Sequence, residues 1–181
     1  MNMSLERDEG ITIELEDDII IYRNSFRALI KACRVAADDA ILPERKMQAI
    51  AEIVTGRKYP PKKSQAIATA YIERYFSEGK GSAKVMDFEK DAEAIYSAFM
   101  QSYGINLHKD ELTAGEFLCL LRNIPEDTRL AETIRIRTME LPKDPQAKAK
   151  VVRAKRAVAL CGESNGFENF AKNIENMAKR K

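Results

Sequence analysis

Apolar and polar positions alternate with a period of two near the start of the chain. Ile11, Ile13 and Leu15 alternate with Thr12 and Glu14, and a second apolar run, Ile19-Ile20-Ile21-Tyr22, follows the Glu16-Asp17-Asp18 break. Two such runs around a polar break predict a β-hairpin. The period then lengthens to three and four, the spacing that lines one face of a helix. Asn24 is placed to cap a helix carrying Phe26, Leu29, Ile30 and Cys33. Pro43 opens another through Met47, Ile50, Ala51 and Val54, ended by Gly56. The run GRKYPPKK reads as a rigid basic turn, and Ser64 as the start of a helix through Ile67, Tyr71, Tyr75 and Phe76, closed by Gly79.

The clearest helical pattern runs from Asp87 to Leu141. Phe88, Ala92, Ile95, Phe99 and Tyr103 share one face of a helix, with Asp87 as its cap and Glu89 and Asp91 in its first turn. Gly104 supplies a left-handed stop, with Ile105 folding back on Phe99 or Met100. Thr113 and Glu116 then form a capping box, with Leu112 and Phe117 placed for a hydrophobic staple. Phe117, Leu118, Leu120 and Leu121 continue that helix, and Pro125-Glu126-Asp127 starts a third through Leu130, Ile134 and Arg137. After Leu141, PKDPQ is a turn and AKAKVVRAKRAVALCG a helix with a narrow apolar stripe.

The expected architecture is mainly α: a helical, bundle-like unit with a small N-terminal β-hairpin. Its expected divisions are a polar lead-in at 1–10, hairpin plus helices at 11–78, a linker at 79–86, a helical core unit at 87–141 and a basic helical C-terminal segment at 142–181. The order within the core unit is specific. Asp91-Ala92, Ile95-Tyr96 and Phe99 come first, then Tyr103-Gly104-Ile105 and Leu107, the helix with Phe117 and Leu121, and finally Pro125, Thr128, Leu130 and an Ile-Arg pair. This order resembles the bacteriophage gene-product-fifteen family of tailed phages and prophages of Gram-positive bacteria. The resemblance is strongest over 87–141 and extends upstream to the hairpin-then-helix pattern at 11–36. Ile95, Tyr96, Phe99, Tyr103, Gly104, Thr113, Glu116, Phe117, Leu121 and Pro125 are its structural marks. It implies a tail assembly chaperone in the host bacterial cytoplasm, several copies of which coat the tape-measure protein until tail-tube subunits displace them.

Charge adds a second candidate feature. From Lys143 to the end there are ten Lys/Arg against four Asp/Glu, a net of +6, whereas the remainder carries twenty against twenty-four, a net of −4. Lys148, Lys150, Arg153, Lys155 and Arg156 are the candidate partner-binding residues. Val151, Val152, Val158 and Leu160 cannot all face one way on a helix, so this segment is expected to dock only partly on the body. Reversing Arg153, Lys155 and Arg156 to Glu is then expected to weaken binding while barely changing thermal stability. The aromatic residues Tyr71, Tyr75, Phe76, Tyr96, Phe99 and Tyr103 suit a core with some contact area.

Catalytic chemistry finds no foothold in the sequence. The single histidine, His108, lies in a polar loop, and no phosphate-binding, dinucleotide-binding or nucleophile-elbow motif occurs. Gly79-Lys80-Gly81-Ser82 lacks the strand and spacing of a phosphate loop, and Asp17-Asp18, Asp38-Asp39 and Glu126-Asp127 sit at turns or helix starts. Cys33, Cys119 and Cys161 are odd in number and widely spaced, so reduced thiols are expected, two of them in the core. Neither an enzyme nor a cofactor or metal is expected. No apolar run reaches membrane-spanning length, and the first ten residues lack a signal-peptide core. The alternative is a nucleic-acid-binding module using the 112–139 helix pair and the basic helix. Glu126, Asp127, Glu132 and Glu140 beside Arg129, Arg135 and Arg137 oppose it, since that mixed face repels phosphate as well as attracting it.

Overall fold

The computed structural model describes residues 10–15, 18–76 and 85–160. The expected lead-in apart from Gly10, which already belongs to the first strand, the hairpin break at 16–17, Gly79, Cys161 and the tail beyond it lie outside the described residues, as does the expected linker apart from its last two positions. The described elements are β1 (Gly10–Leu15), β2 (Asp18–Arg23), α1 (Phe26–Ala37), α2 (Pro43–Thr55), α3 (Pro61–Phe76), α4 (Ala92–Tyr103), α5 (Ala114–Arg122), α6 (Arg129–Thr138) and α7 (Pro145–Ala157). The fold is mainly α with one small antiparallel hairpin at its N-terminal end.

Packing groups these elements into two units. The first holds the hairpin, α1, α2, α3 and Glu111–Leu118, which includes the start of α5; the second holds residues 85–110 and 119–160. The expected 87–141 stretch therefore contributes to both. In the first unit, the hairpin pairs Ile13 with Ile20 and Ile11 with Tyr22. The period of two decides which residues of the continuous run go inside: Ile20 and Tyr22 are buried, whereas Ile19 and Ile21 are 63% and 69% exposed.

α1 is capped by Ser25, whose Oγ accepts the Arg27 N–H at 3.3 Å, and not by Asn24 as the sequence predicts. The Asn24 side-chain oxygen faces the Tyr75 hydroxyl at 3.0 Å and accepts the Ala114 N–H at 3.2 Å, so it joins α3 to the start of α5. Beside it, the Phe26 N–H donates to the Leu112 carbonyl at 3.1 Å, and the Phe26 and Phe117 rings stack with centroids 5.1 Å apart. These three contacts place Glu111–Leu118 with the N-terminal elements. At the far end of α1, the buried Lys46 donates to the Ala36 carbonyl at 2.8 Å, putting a cation where the helix dipole is negative.

α2 buries Met47, Ile50, Ala51 and Val54, the face its spacing predicts. It stops at Gly56, whose φ of +74° favours glycine, and where an added Cβ would come 2.8 Å from Arg23 Nη2. α3 begins at Pro61, three residues before the predicted start, because Pro fits the first helical turn. Ser64 is instead buried inside that turn, its hydroxyl donating to the Tyr59 carbonyl at 3.0 Å. Further along α3, Tyr71 meets Tyr22 edge-on at 5.3 Å and Tyr75 at 4.9 Å. Burial raises the pKa of the Tyr71 phenol above its ordinary value, with Tyr75, Cys33 and Tyr22 adding to the shift. Its hydroxyl has no hydrogen-bond partner among the described residues. Burial likewise pushes the Cys33 thiol up to about 12, leaving it protonated and inert although the residue as a whole is only half-buried.

In the second unit, α4 starts at Ala92, later than predicted. Asp87 accepts the N–H groups of Glu89 and Lys90 at 2.9 and 3.1 Å, closing a turn ahead of the helix. Ile95, Ala98 and Phe99 are buried while Ala92 is exposed. Gly104, at φ +68°, ends α4, with its N–H on the Met100 carbonyl at 3.1 Å and that of Ile105 on Phe99 at 3.3 Å. α6 begins at Arg129, not at the Pro125 signal. Pro125 opens a turn in which Thr128 returns both its N–H and its hydroxyl to the Pro125 carbonyl, at 3.3 and 2.9 Å. Thr128 then caps α6 by accepting the Ala131 N–H at 3.3 Å. α6 packs against α4 and α7.

Candidate partner-binding surface

α7 is the element that carries the charged candidates. Asp144 caps it, accepting the Ala147 N–H at 2.7 Å, and Pro145 occupies its first turn. No residue of α7 is fully buried. Ala147, Val151, Val152, Ala154 and Lys155 are half-buried, whereas Lys148, Ala149, Lys150, Arg153, Arg156 and Ala157 are exposed.

The helix is tied to α6 through Arg137, near the end of α6. The Arg137 guanidinium donates Nε to the Val158 carbonyl at 2.7 Å and Nη1 to the Val85 carbonyl at 2.9 Å. It also grips Asp91 with both ends, Nη1 to Oδ2 at 2.6 Å and Nη2 to Oδ1 at 2.8 Å. Both side chains are nearly enclosed, at 11% and 6% exposure, and Asp91 Oδ2 accepts the Asp87 N–H as well at 2.8 Å. A planar guanidinium suits this arrangement because its fixed fork matches a carboxylate while leaving donors for carbonyls. The backbone of the same residue completes the clamp: its carbonyl accepts Lys155 Nζ at 3.0 Å.

The five charged candidates therefore divide. Lys155 serves the end of α6, while Lys148, Lys150, Arg153 and Arg156 are exposed, the last three along one face. A change that includes Lys155 disturbs the seat of α7 as well as its surface. Neither role of the Asp91–Arg137 pair was read from the sequence, where Asp91 figures as a first-turn carboxylate favoured by the dipole. One signal was present: Arg137 falls at the i+7 position after Leu130 and the i+3 position after Ile134, on the inward stripe of α6, where an arginine needs a buried partner.

The marks of the resemblance lie in both units. In the first, Glu116 N–H donates to Thr113 Oγ1 at 3.1 Å and Thr113 N–H to Glu116 Oε2 at 2.7 Å, a reciprocal capping box, and Phe117 is fully enclosed. In the second, Ile95 and Phe99 are core, Leu121 is half-buried and Pro125 exposed. There too the Tyr103 hydroxyl lies 2.9 Å from the Leu120 carbonyl and 2.8 Å from that of Asn123, satisfying the end of α5. Tyr96 is half-buried and tilts against His108 with centroids 4.8 Å apart, and Gly104 forms the stop described above.

Among the described residues, no group of three His, Cys, Asp or Glu is placed to hold a metal, and no helix is long and apolar enough to cross a membrane. On the α5–α6 side, the exposed Glu126, Asp127 and Glu132 interleave with Arg129 and Arg135, a poor footing for phosphate. The family described as Bacteriophage Gp15 protein matches residues 7–160. No curated protein and no solved structure matches the chain.

Proposed function

The chain belongs to the bacteriophage Gp15 protein family, and from that premise we propose that it is a tail assembly chaperone that holds the tape-measure protein while the tail is built. It acts in the host cytoplasm, without catalysis or cofactor, as several copies along one elongated client, and tail-tube subunits displace it. The observation that supports a holding role is the outer face of the hairpin. There Ile19 and Ile21, two positions apart on β2, are among the most exposed large apolar side chains, opposite Glu14 and Thr12. Adjacent β-branched residues left in water suit a surface made for reversible apolar contact, with a client helix or with a second copy.

Co-expression with the tape-measure protein tests this reading. The expected outcome is that the client stays in solution and co-purifies, and that Ile19→Lys with Ile21→Lys releases it without lowering the melting temperature. A client that aggregates equally with and without this protein would refute the assignment.

A further inference from the structure

We infer that the outer face of α7, formed by Lys150, Arg153 and Arg156, is a docking surface for an acidic helical segment of a partner protein. α7 has five cations and no acidic residue over its length. Only Lys155 turns inward, and no ion pair among the described residues engages the other four. Lys150, Arg153 and Arg156 follow one another at steps of three, so they are neighbours on the helix surface and repel each other. The bonds that hold α7 from α6 run to or from the backbone: Arg137 Nε to the Val158 carbonyl and Lys155 Nζ to the Arg137 carbonyl. A helix that buries none of its residues fully is thereby fixed in place with its like charges facing water.

The spacing selects the class of partner. Lys150 to Arg156 spans about 9 Å along the axis, in two steps of about 4.5 Å through Arg153. Carboxylates repeating every three or four residues on a partner helix recur at about 4.5–6 Å, which matches. Ala149 and Ala157 lie exposed among the cations and let a second helix approach closely. A further copy of this chain is a poorer occupant. The exposed carboxylates of the described helices stand singly or beside basic residues, as Glu132 does between Arg129 and Arg135. Identifying the partner as the tape-measure protein rests on the function proposed above; the surface itself does not.

The test uses the full chain and two labelled probes, an Ala-based helical peptide with glutamates along one face and a short duplex DNA, read by fluorescence anisotropy at low and physiological salt. The peptide is expected to bind, more weakly as salt rises, and Arg153→Glu with Arg156→Glu is expected to lower its affinity about tenfold or more at an unchanged melting temperature. Absence of peptide binding, equal binding by the double variant, or tighter binding of the DNA would overturn the inference, the last in favour of nucleic acid. Co-expression separates the two readings. If tape-measure protein is retained equally by wild type and double variant, the tape-measure protein is not the partner of this surface and the chaperone function stands. If the peptide result holds but wild type retains no tape-measure protein, the surface stands and the function fails.

Discussion

In the unit that contains the hairpin, the enclosed side chains are Leu29, Ile50, Val54, Ile67, Tyr71 and Phe117, with the hydroxyl of Ser64 turned back onto its own chain. In the other unit, Ile95, Ala98, Phe99 and Leu130 are the buried apolar residues, and Asp91, Thr128 and Arg137 are buried or nearly enclosed as well. The first is an ordinary apolar interior drawn from α1, α2, α3, the start of α5 and the hairpin. In the second, α7 buries no residue fully and is tied to α6 by the Arg137 bond to the Val158 carbonyl and the Lys155 bond to the Arg137 carbonyl. Directional bonds fix where α7 sits without covering its outer face.

The largest expected effects break each unit at its own kind of contact. Phe117→Ala should cost about 3–5 kcal/mol through the cavity it leaves. Arg137→Leu should cost a similar amount, about 3–5 kcal/mol, because it leaves the Asp91 carboxylate buried and unpaired. Urea unfolding gives the magnitudes, and amide exchange gives the location. Phe117→Ala should deprotect α1 and the start of α5, and Arg137→Leu should deprotect α6 and α7. The two cases should then part: adding Asp91→Leu to Arg137→Leu should restore much of the loss, as removal of both charges does elsewhere. A double variant no better than the single would show that hydrogen bonds to Val85 and Val158, and not charge pairing, hold this unit.

A smaller effect is expected at the capping box. Thr113→Ala should cost about 0.5–2 kcal/mol, with faster exchange at the Glu116 amide. An unchanged urea midpoint would mean that Asn24 and Phe117 alone hold the start of α5. The smallest effect concerns Asp18, whose hydrogen bond from Lys63 at 2.6 Å and the charge of Lys63 hold its carboxyl below the ordinary value of 3.8. A carboxyl with a depressed folded value stabilises the fold above its unfolded value and loses that contribution as pH falls through the folded one. Any stability difference between wild type and Lys63→Gln should therefore be present at neutral pH, begin to fall below about pH 4 and vanish once the pH is below the lowered folded value of Asp18. NMR titration should show Asp18 moving up in Lys63→Gln; an unmoved Asp18 would remove Lys63 as the cause.

Sequence alone determined what depends on neighbours a few residues apart. The alternation at Ile11–Leu15, the helical steps of Met47–Val54, the stops at Gly56 and Gly104 and the Thr113–Glu116 box are all set by local backbone geometry and short-range hydrogen bonds. The resemblance over Asp87–Leu141 belongs here too, because it rests on order and spacing. Tertiary structure decided wherever a polar side chain had a local role available and a better distant one. Asn24 is drawn from the α1 cap to Tyr75 and Ala114, and Asp91 from the α4 dipole to Arg137. Lys155 leaves the basic face of α7 for the end of α6. A buried polar group needs a partner wherever the fold brings one, and chain distance places no limit on that choice. Which lysine of α7 faces inward was therefore settled only when α6 arrived beside it.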